Sequence, residues 1–195
     1  MSLALLAWRR AVAELYAEVR AAEPSVGHAR WRAGRDELFR SSSESPLPAG
    51  DPRREQGLPV ALYDPAWRAV VPLSAAPPST RRLPAGGDGD VVLERLGVLR
   101  TPWGPLDAWE LQAYAGGLFV PVRDAGAGTS SYGGGRYLLD TVKGADLGSS
   151  SAGVVVDLNF LYHPSCAYDA AWTCPLAPPG NALEMFVPVG EQLPG

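Results

Sequence analysis

Cys166 and Cys174, the only cysteines of the chain, stand in "HPSCAYDAAWTC" (163–174) together with His163 and Asp169. Seven residues lie between the two thiols. That is too many for a Cys-x-x-Cys redox motif, and the second cysteine pair that a structural zinc site needs is missing. Two thiolates with His163 and Asp169 would make four metal ligands, but at no established zinc spacing, so no metal is assigned. Two readings remain. In the first, both thiols are buried as small apolar side chains in a corner stiffened by Pro164, Pro175, Pro178 and Pro179. In the second, Cys166 and Cys174 are a functional dithiol, although a reducing compartment opposes stable oxidation.

The remaining chemistry-bearing residues are oxygen and nitrogen groups in otherwise apolar runs. Arg136 follows a glycine run in "GTSSYGGGRY" (128–137), between Tyr132 and Tyr137. Its planar fork suits a carboxylate, either from a ligand or from an internal partner such as Asp157 or Glu191. Asp157 and Asn159 alternate with apolar residues in "GVVVDLNFLY" (153–162), and Tyr162 closes that run. Asp157, Glu191 and Tyr132 are therefore the candidate acid and base groups. Arg136, Asn159, Tyr137 and Tyr162 are the candidate binding groups. The glycines carry neither the Walker spacing nor a dinucleotide fingerprint, and positive φ at Gly133, Gly134 and Gly135 explains them. No nucleophile elbow is present, and of the two histidines His28 falls on an expected surface helix. Proton-transfer chemistry without a nucleotide or flavin cofactor is what these residues could do: isomerisation, cyclisation, elimination or hydrolysis.

Such groups need a frame. Leu5, Trp8, Val12, Leu15, Tyr16 and Val19 recur at helical spacing behind Ser2, which can cap the first turn. Pro24 ends this helix, Ser25 can cap a second, and Arg32 and Asp36 are spaced to pair. Residues 42–57 read as an exposed connector rich in Ser and Pro. Short β-branched and aromatic runs follow: "LPVALY", "WRAVVPL", "GDVVLERLGVLRTPWG", "LDAWELQAY", "GLFVPV", "RYLLDTV", "GVVVDLNFLY" and "LEMFVPV", each bounded by Gly, Pro or Asp. The expected fold is α+β. A helical pair (1–41) lies on the sheet, a linker (42–57) follows, and a mostly antiparallel body (58–195) forms a barrel-like or sandwich-like shape.

Composition narrows the partners. The chain has 195 residues and a net charge of −4, the wrong sign for a phosphate-neutralising surface, so nucleic acid is not expected. Residues 1–100 carry 14 basic and 12 acidic side chains, net +2, and residues 101–195 carry 3 and 9, net −6. No apolar run is long enough for a membrane helix, and the N-terminus lacks signal-peptide form, so the expectation is a soluble, cytoplasmic protein. Nothing in the sequence sets an oligomeric state.

Three stretches, "LFVPVRDAGAGTSSYGGGRYLLD" (118–140), "VVDLNFLYHPSCAYDAAWTCPLAPPGNALEM" (155–185) and "VGEQL" (189–193), resemble the bacterial and archaeal family known as domain of unknown function 1684. "GLPVALYDPAWRAVVPL" (57–73) is similar to the strand pair that precedes them there. The resemblance implies no activity. Members usually carry Phe where Leu158 stands, Asn in place of His163, and Lys where the chain has Gln192. A role for that lysine is therefore excluded here, and His163 cannot serve a family-wide mechanism.

The expectation carried forward is a small-molecule-binding β domain whose pocket is built from residues 118–191, for an oxygen-rich or carboxylated ligand. Two other readings stand beside it: a non-catalytic module that uses the helices as a protein-facing arm, and a dithiol protein.

Overall fold

A computed structural model describes residues 2–84, 90–112 and 116–194. Among the described residues, three α-helices, α1 (Leu3–Ala21), α2 (Pro24–Ser41) and α3 (Arg53–Gln56), precede nine strands. These are β1 (Arg68–Val71), β2 (Leu73–Ser74), β3 (Thr80–Pro84), β4 (Asp90–Thr101), β5 (Gly104–Leu111), β6 (Leu118–Val122), β7 (Arg136–Asp140), β8 (Ser149–Ser150) and β9 (Gly153–Asp157). Gly89 and the Ala113–Tyr114 end of two expected strands lie outside the described residues.

The strands make two antiparallel sheets. A three-stranded sheet runs β1-β9-β8, and a six-stranded sheet runs β2-β4-β5-β6-β7 with β3 also on β4. The sheets do not close into a barrel, which corrects the barrel-like expectation. One reason lies at Pro72: β1 belongs to the small sheet, β2 to the large one, and the proline between them donates no ladder hydrogen bond. A second break is the register shift of β4 between Arg95 and Gly97, which lets β2 and β3 pair with different lengths of the same strand. "LPVALY" forms no strand and contributes only the bridge of Val60 to Glu191. "LEMFVPV" is irregular: the Val187 and Val189 carbonyls accept from Arg136, and the Met185 carbonyl takes the Ala125 amide outside any ladder.

Ser2 caps α1 as its type predicts, its hydroxyl accepting the Leu5 amide at 2.9 Å. At the next boundary Pro24 opens α2 rather than ending α1. Its fixed φ suits the first helical turn, and Ser25 is inside the helix and does not cap it. Asp36 takes the Leu58 amide at 2.9 Å instead of pairing with Arg32. His28 is also misplaced by sequence reasoning: it is buried at 2 % exposure, ringed by Trp31, Tyr63 and Phe160.

The helical stripe is spent inside the molecule. Tyr16, Val19 and Trp31 join Leu99, Leu106, Ala108, Val120, Leu138, Val156 and Phe160 in the main core. The segment after α2 is not wholly exposed either, since Leu47 is buried with Phe39, Leu58 and Tyr168. On the far face of the large sheet, Leu93, Trp109, Phe119 and Tyr137 make a second cluster. Strand alternation sorts the two: in β5, Leu106 and Ala108 face the main core, and Trp109 faces the other.

Candidate functional site

The predicted residues fall into three places. Arg136 opens β7 after Gly135, whose φ of 90° is the left-handed conformation that the tight turn demands. Among the three glycines of the run, only Gly135 has positive φ; a side chain on Gly134 would instead strike the ring of Tyr132. The Arg136 fork does not face a ligand. Nη1 donates to the carbonyls of Val189 at 2.6 Å and Glu191 at 3.0 Å, and Nη2 donates to Val187 O at 3.1 Å and Asp124 Oδ1 at 3.2 Å. Its carboxylate partner is thus Asp124, which sequence reasoning passed over, rather than Asp157 or Glu191. Asp124 also takes the Val187 amide, so the pair ties the irregular C-terminal segment to the sheet.

Glu191 lies in the second place, buried at 1 % exposure. Tyr168 donates to Oε1 at 2.6 Å, and Arg35 Nη2 and the His163 amide donate to Oε2 at 2.8 and 3.0 Å. Burial alone would push this carboxyl up, but Arg35, His163 and Tyr168 outweigh it and hold it well below the usual carboxylate range. Arg35 is stacked over Trp31, Phe39 and Tyr162, 4.8 to 5.3 Å from the ring centroids. Such a carboxylate stays charged and fully engaged, so it is not available for proton transfer. The missed residue is Arg35, which shares the buried face of α2 with Trp31 and Phe39.

Next to Glu191 stand Tyr132 and the thiols. His163 Nε2 accepts the Tyr132 amide at 3.2 Å, which leaves the ring proton on Nδ1, 3.4 Å from Glu191 Oε1. With both nitrogens so committed, His163 is no third ligand beside the cysteines. Cys166 and Cys174 are half-buried rather than buried. The Tyr132 hydroxyl lies 3.7 Å from Cys166 Sγ; that hydrogen bond and burial raise the phenol further from any role as a base near neutral pH. Tyr137 gives its hydroxyl to Pro175 O at 2.7 Å, and Tyr162 packs edge-on against it with centroids 5.8 Å apart. Neither tyrosine lines the cleft beside Asp157 or the groove between α1 and α2.

Asp157 is the third place. Register sets it opposite Arg68, so the two side chains share one face of the small sheet with Val155. After Asp157 the strand stops and a 3-10 turn over Leu158–Phe160 begins, capped by Asp157 Oδ1 on the Asn159 amide at 3.1 Å. The alternation expected across Asp157–Leu161 therefore ends. Asn159 turns inward to bracket Asp64, accepting its amide and donating to its carbonyl, both at 2.9 Å. Phe160 comes round to the Asp157 side. A cleft of about 240 Å³ forms there, with Arg20, Arg68 and Ser149 as its exposed polar lining and Asp157 as its buried one.

Asp157 Oδ2 receives the Tyr63 hydroxyl at 3.3 Å and lies 3.6 Å from Arg68 Nε. Burial pushes its carboxyl up to about 6, against the pull of the Asn159 and Arg68 contacts. This carboxyl can therefore gain or lose a proton near neutral pH while facing an open cleft. The larger hollow, about 470 Å³, is a groove along α1 and α2 whose polar residues, Glu14, Glu18 and Arg30, are exposed. It offers no buried polar group to act on a ligand.

The family pattern described as protein of unknown function (DUF1684) matches residues 55–192. The chain belongs to that family. The DUF1684 match takes in Asp157, Glu191 and both cysteines, whereas Arg35 and Arg20 lie before it. A solution NMR structure of an uncharacterized protein from Haloarcula marismortui is similar, with 30 % identity and a TM-score of 0.61. The similarity covers 83 % of this chain and 90 % of the haloarchaeal one. No curated protein matches the chain. Among the described residues, no helix is long and apolar enough to cross a membrane.

Proposed function

We propose that the Asp157 cleft binds a small carboxylate or similar oxyanion and that Asp157 is its proton-transfer group. The observation that carries this is a buried carboxyl, poised to titrate near pH 6, on the wall of a cleft that also presents Arg68 and Arg20. The volume suits a compact metabolite and not a nucleotide. Arg68 would hold the anion, and Asp157 would move a proton in an isomerisation, cyclisation, elimination or hydrolysis. Proton transfer of this kind draws on no nucleotide or flavin. Glu191 and Arg136 take no part: the Glu191 carboxylate and both Nη atoms of Arg136 are engaged by protein groups, and neither residue lines the cleft.

The test is binding of three probes, a hydroxy acid, a dicarboxylate and inorganic phosphate, followed by ligand-observed NMR from pH 5 to 8. An anionic probe should bind more weakly as pH rises through about 6, because ionised Asp157 repels it. Asp157→Asn should flatten that dependence, and Arg68→Ala should weaken binding at least ~10-fold, the loss of one charge-assisted contact. Absence of binding by all three probes, or indifference to Arg68→Ala, would sink the proposal.

A further inference from the structure

The corner that carries the two thiols is held unevenly. At its near end, Tyr168 is fastened to Glu191 and Arg35. At its far end, Pro175 O takes the Tyr137 hydroxyl, and Cys174 packs against the Leu93, Trp109, Phe119 and Tyr137 cluster. Between them Ala170–Thr173 are exposed, and Asp169 supplies the hydrogen bonds recorded there, to the amides of Ala171 and Trp172. Trp172 is 46 % exposed.

The two cysteines meet across this loop. Cys174 Sγ accepts the backbone amide of Cys166 at 3.4 Å. A sulfur resting on the other cysteine's own amide lies where rotation about the Cys166 Cα–Cβ bond sweeps its thiol toward it. We propose that Cys166 and Cys174 are a thiol-oxidation site that closes to a reversible intrachain disulfide on reaction with a low-molecular-weight disulfide, locking the exposed loop.

The chemistry assigns different parts to the two residues. Cys174, whose Sγ rests on the Cys166 amide at the end of the exposed loop, is the attacking sulfur. Cys166 is the resolving one: burial pushes its thiol up to about 11, with the nearby Cys174 adding to the effect. In the first step the Cys174 thiolate forms a bond to one sulfur of the small disulfide, and the other sulfur leaves as a thiolate. In the second step the Cys166 thiolate attacks Cys174 Sγ and expels the second small thiolate. The protein loses two protons and two electrons, and the small disulfide becomes two thiols. The Tyr132 hydroxyl lies against Cys166 Sγ, and its hydrogen bond pulls the Cys166 thiol down, so it favours the thiolate that the second step needs.

The experiment uses the full chain, reduced, desalted and exposed to mixtures of oxidised and reduced glutathione, then alkylated and weighed intact before peptide mapping. The expected product is lighter by two hydrogens, with one cross-link between Cys166 and Cys174 and no lasting glutathione adduct. Cys166→Ser should stop at a glutathione adduct on Cys174, and Cys174→Ser should react at least ~10-fold more slowly. Chymotrypsin should cut after Trp172 several-fold more slowly in the oxidised protein. Stable adducts on the wild-type protein without a cross-link would overturn the proposal, as would thiols that react only after denaturation. These readouts require no ligand in the Asp157 cleft, so they stand or fall apart from the function proposed there.

Discussion

Asp157 accepts two hydrogen bonds from Asn159 and one from Tyr63, yet its proton is held more tightly than in an unfolded chain. Burial of the charge outweighs those contacts, and the sign of the consequence follows. The folded carboxyl titrates at about 6 and the unfolded one at 3.8, so the contribution of Asp157 to stability is complete below pH 3.8 and is lost as pH rises through 6. Asp157→Asn, which cannot ionise, should therefore gain stability relative to the native protein between pH 4 and 6. The gain should level off above that at roughly 3 kcal/mol, the value of a shift of about two units. Chemical denaturation of both proteins at pH 4, 5, 6 and 7.5 measures it, and a constant difference would contradict the assignment. His28 opposes this trend. Burial lowers it to about 4 from 6.5, so its contribution is present above pH 6.5 and is lost as pH falls through 4. Keeping a raised aspartate stores free energy at the place where the cleft opens.

At the level of the strand and turn, the positions of the polar groups depend on where each ladder stops. β9 ends at Asp157 because the carboxylate captures the Asn159 amide and starts a turn; a longer strand would have pointed Asn159 to the same face as Asp157. β7 starts at Arg136 because Gly135 can take φ near 90°, and a Cβ there would sit 2.6 Å from Val122 O. Gly135→Ala should thus cost about 1–3 kcal/mol for the conformation, and more if β6 must shift. Urea unfolding should show a lower midpoint with an unchanged slope, whereas a neutral result would mean that the turn relaxes freely. Gly153 plays the matching part in the small sheet. Its Cβ would collide with Val71 O at 2.1 Å, beside the proline that passes the chain from one sheet to the other. Turn chemistry of this kind is readable in advance as glycine and proline punctuation, but which glycine carries the strain is set by the neighbour it approaches.

Considered as one molecule, the protein makes its N-terminal helices part of the body. Trp31 is fully buried against Phe160, Tyr16 accepts the Trp31 indole N–H at 3.0 Å, and Arg35 neutralises Glu191. Arg20 and Pro24, at the junction of α1 and α2, form one wall of the Asp157 cleft. Removing residues 2–41 should leave an apolar face and an unpaired buried glutamate, the latter alone worth about 3–5 kcal/mol. The truncated chain should be insoluble or lack a cooperative thermal transition. A soluble, cooperatively melting 42–195 fragment would show that the helices are a detachable arm after all.

Much of this was written in local order. The amphipathic period of α1, its Ser2 cap and the short strands between Gly and Pro follow from neighbours a few residues apart, and the antiparallel mixed class follows from their succession. Asp157 stood out as a carboxylate in an apolar strand. The partners did not stand out. Arg35 lies 156 residues from Glu191, His28 lies 131 from Asn159, and Asp124 rather than either expected acid fills the fork of Arg136. Periodicity places a residue on a face, but which charge that face meets is settled when distant elements pack and the desolvated ion must find its counter-ion. Burial is likewise a property of the assembled layers. Both Asp157 and Glu191 are buried, and the counter-ion separates them: Arg35 at 2.8 Å locks Glu191 in its charged form, whereas Asp157, with Arg68 at 3.6 Å, can take up a proton.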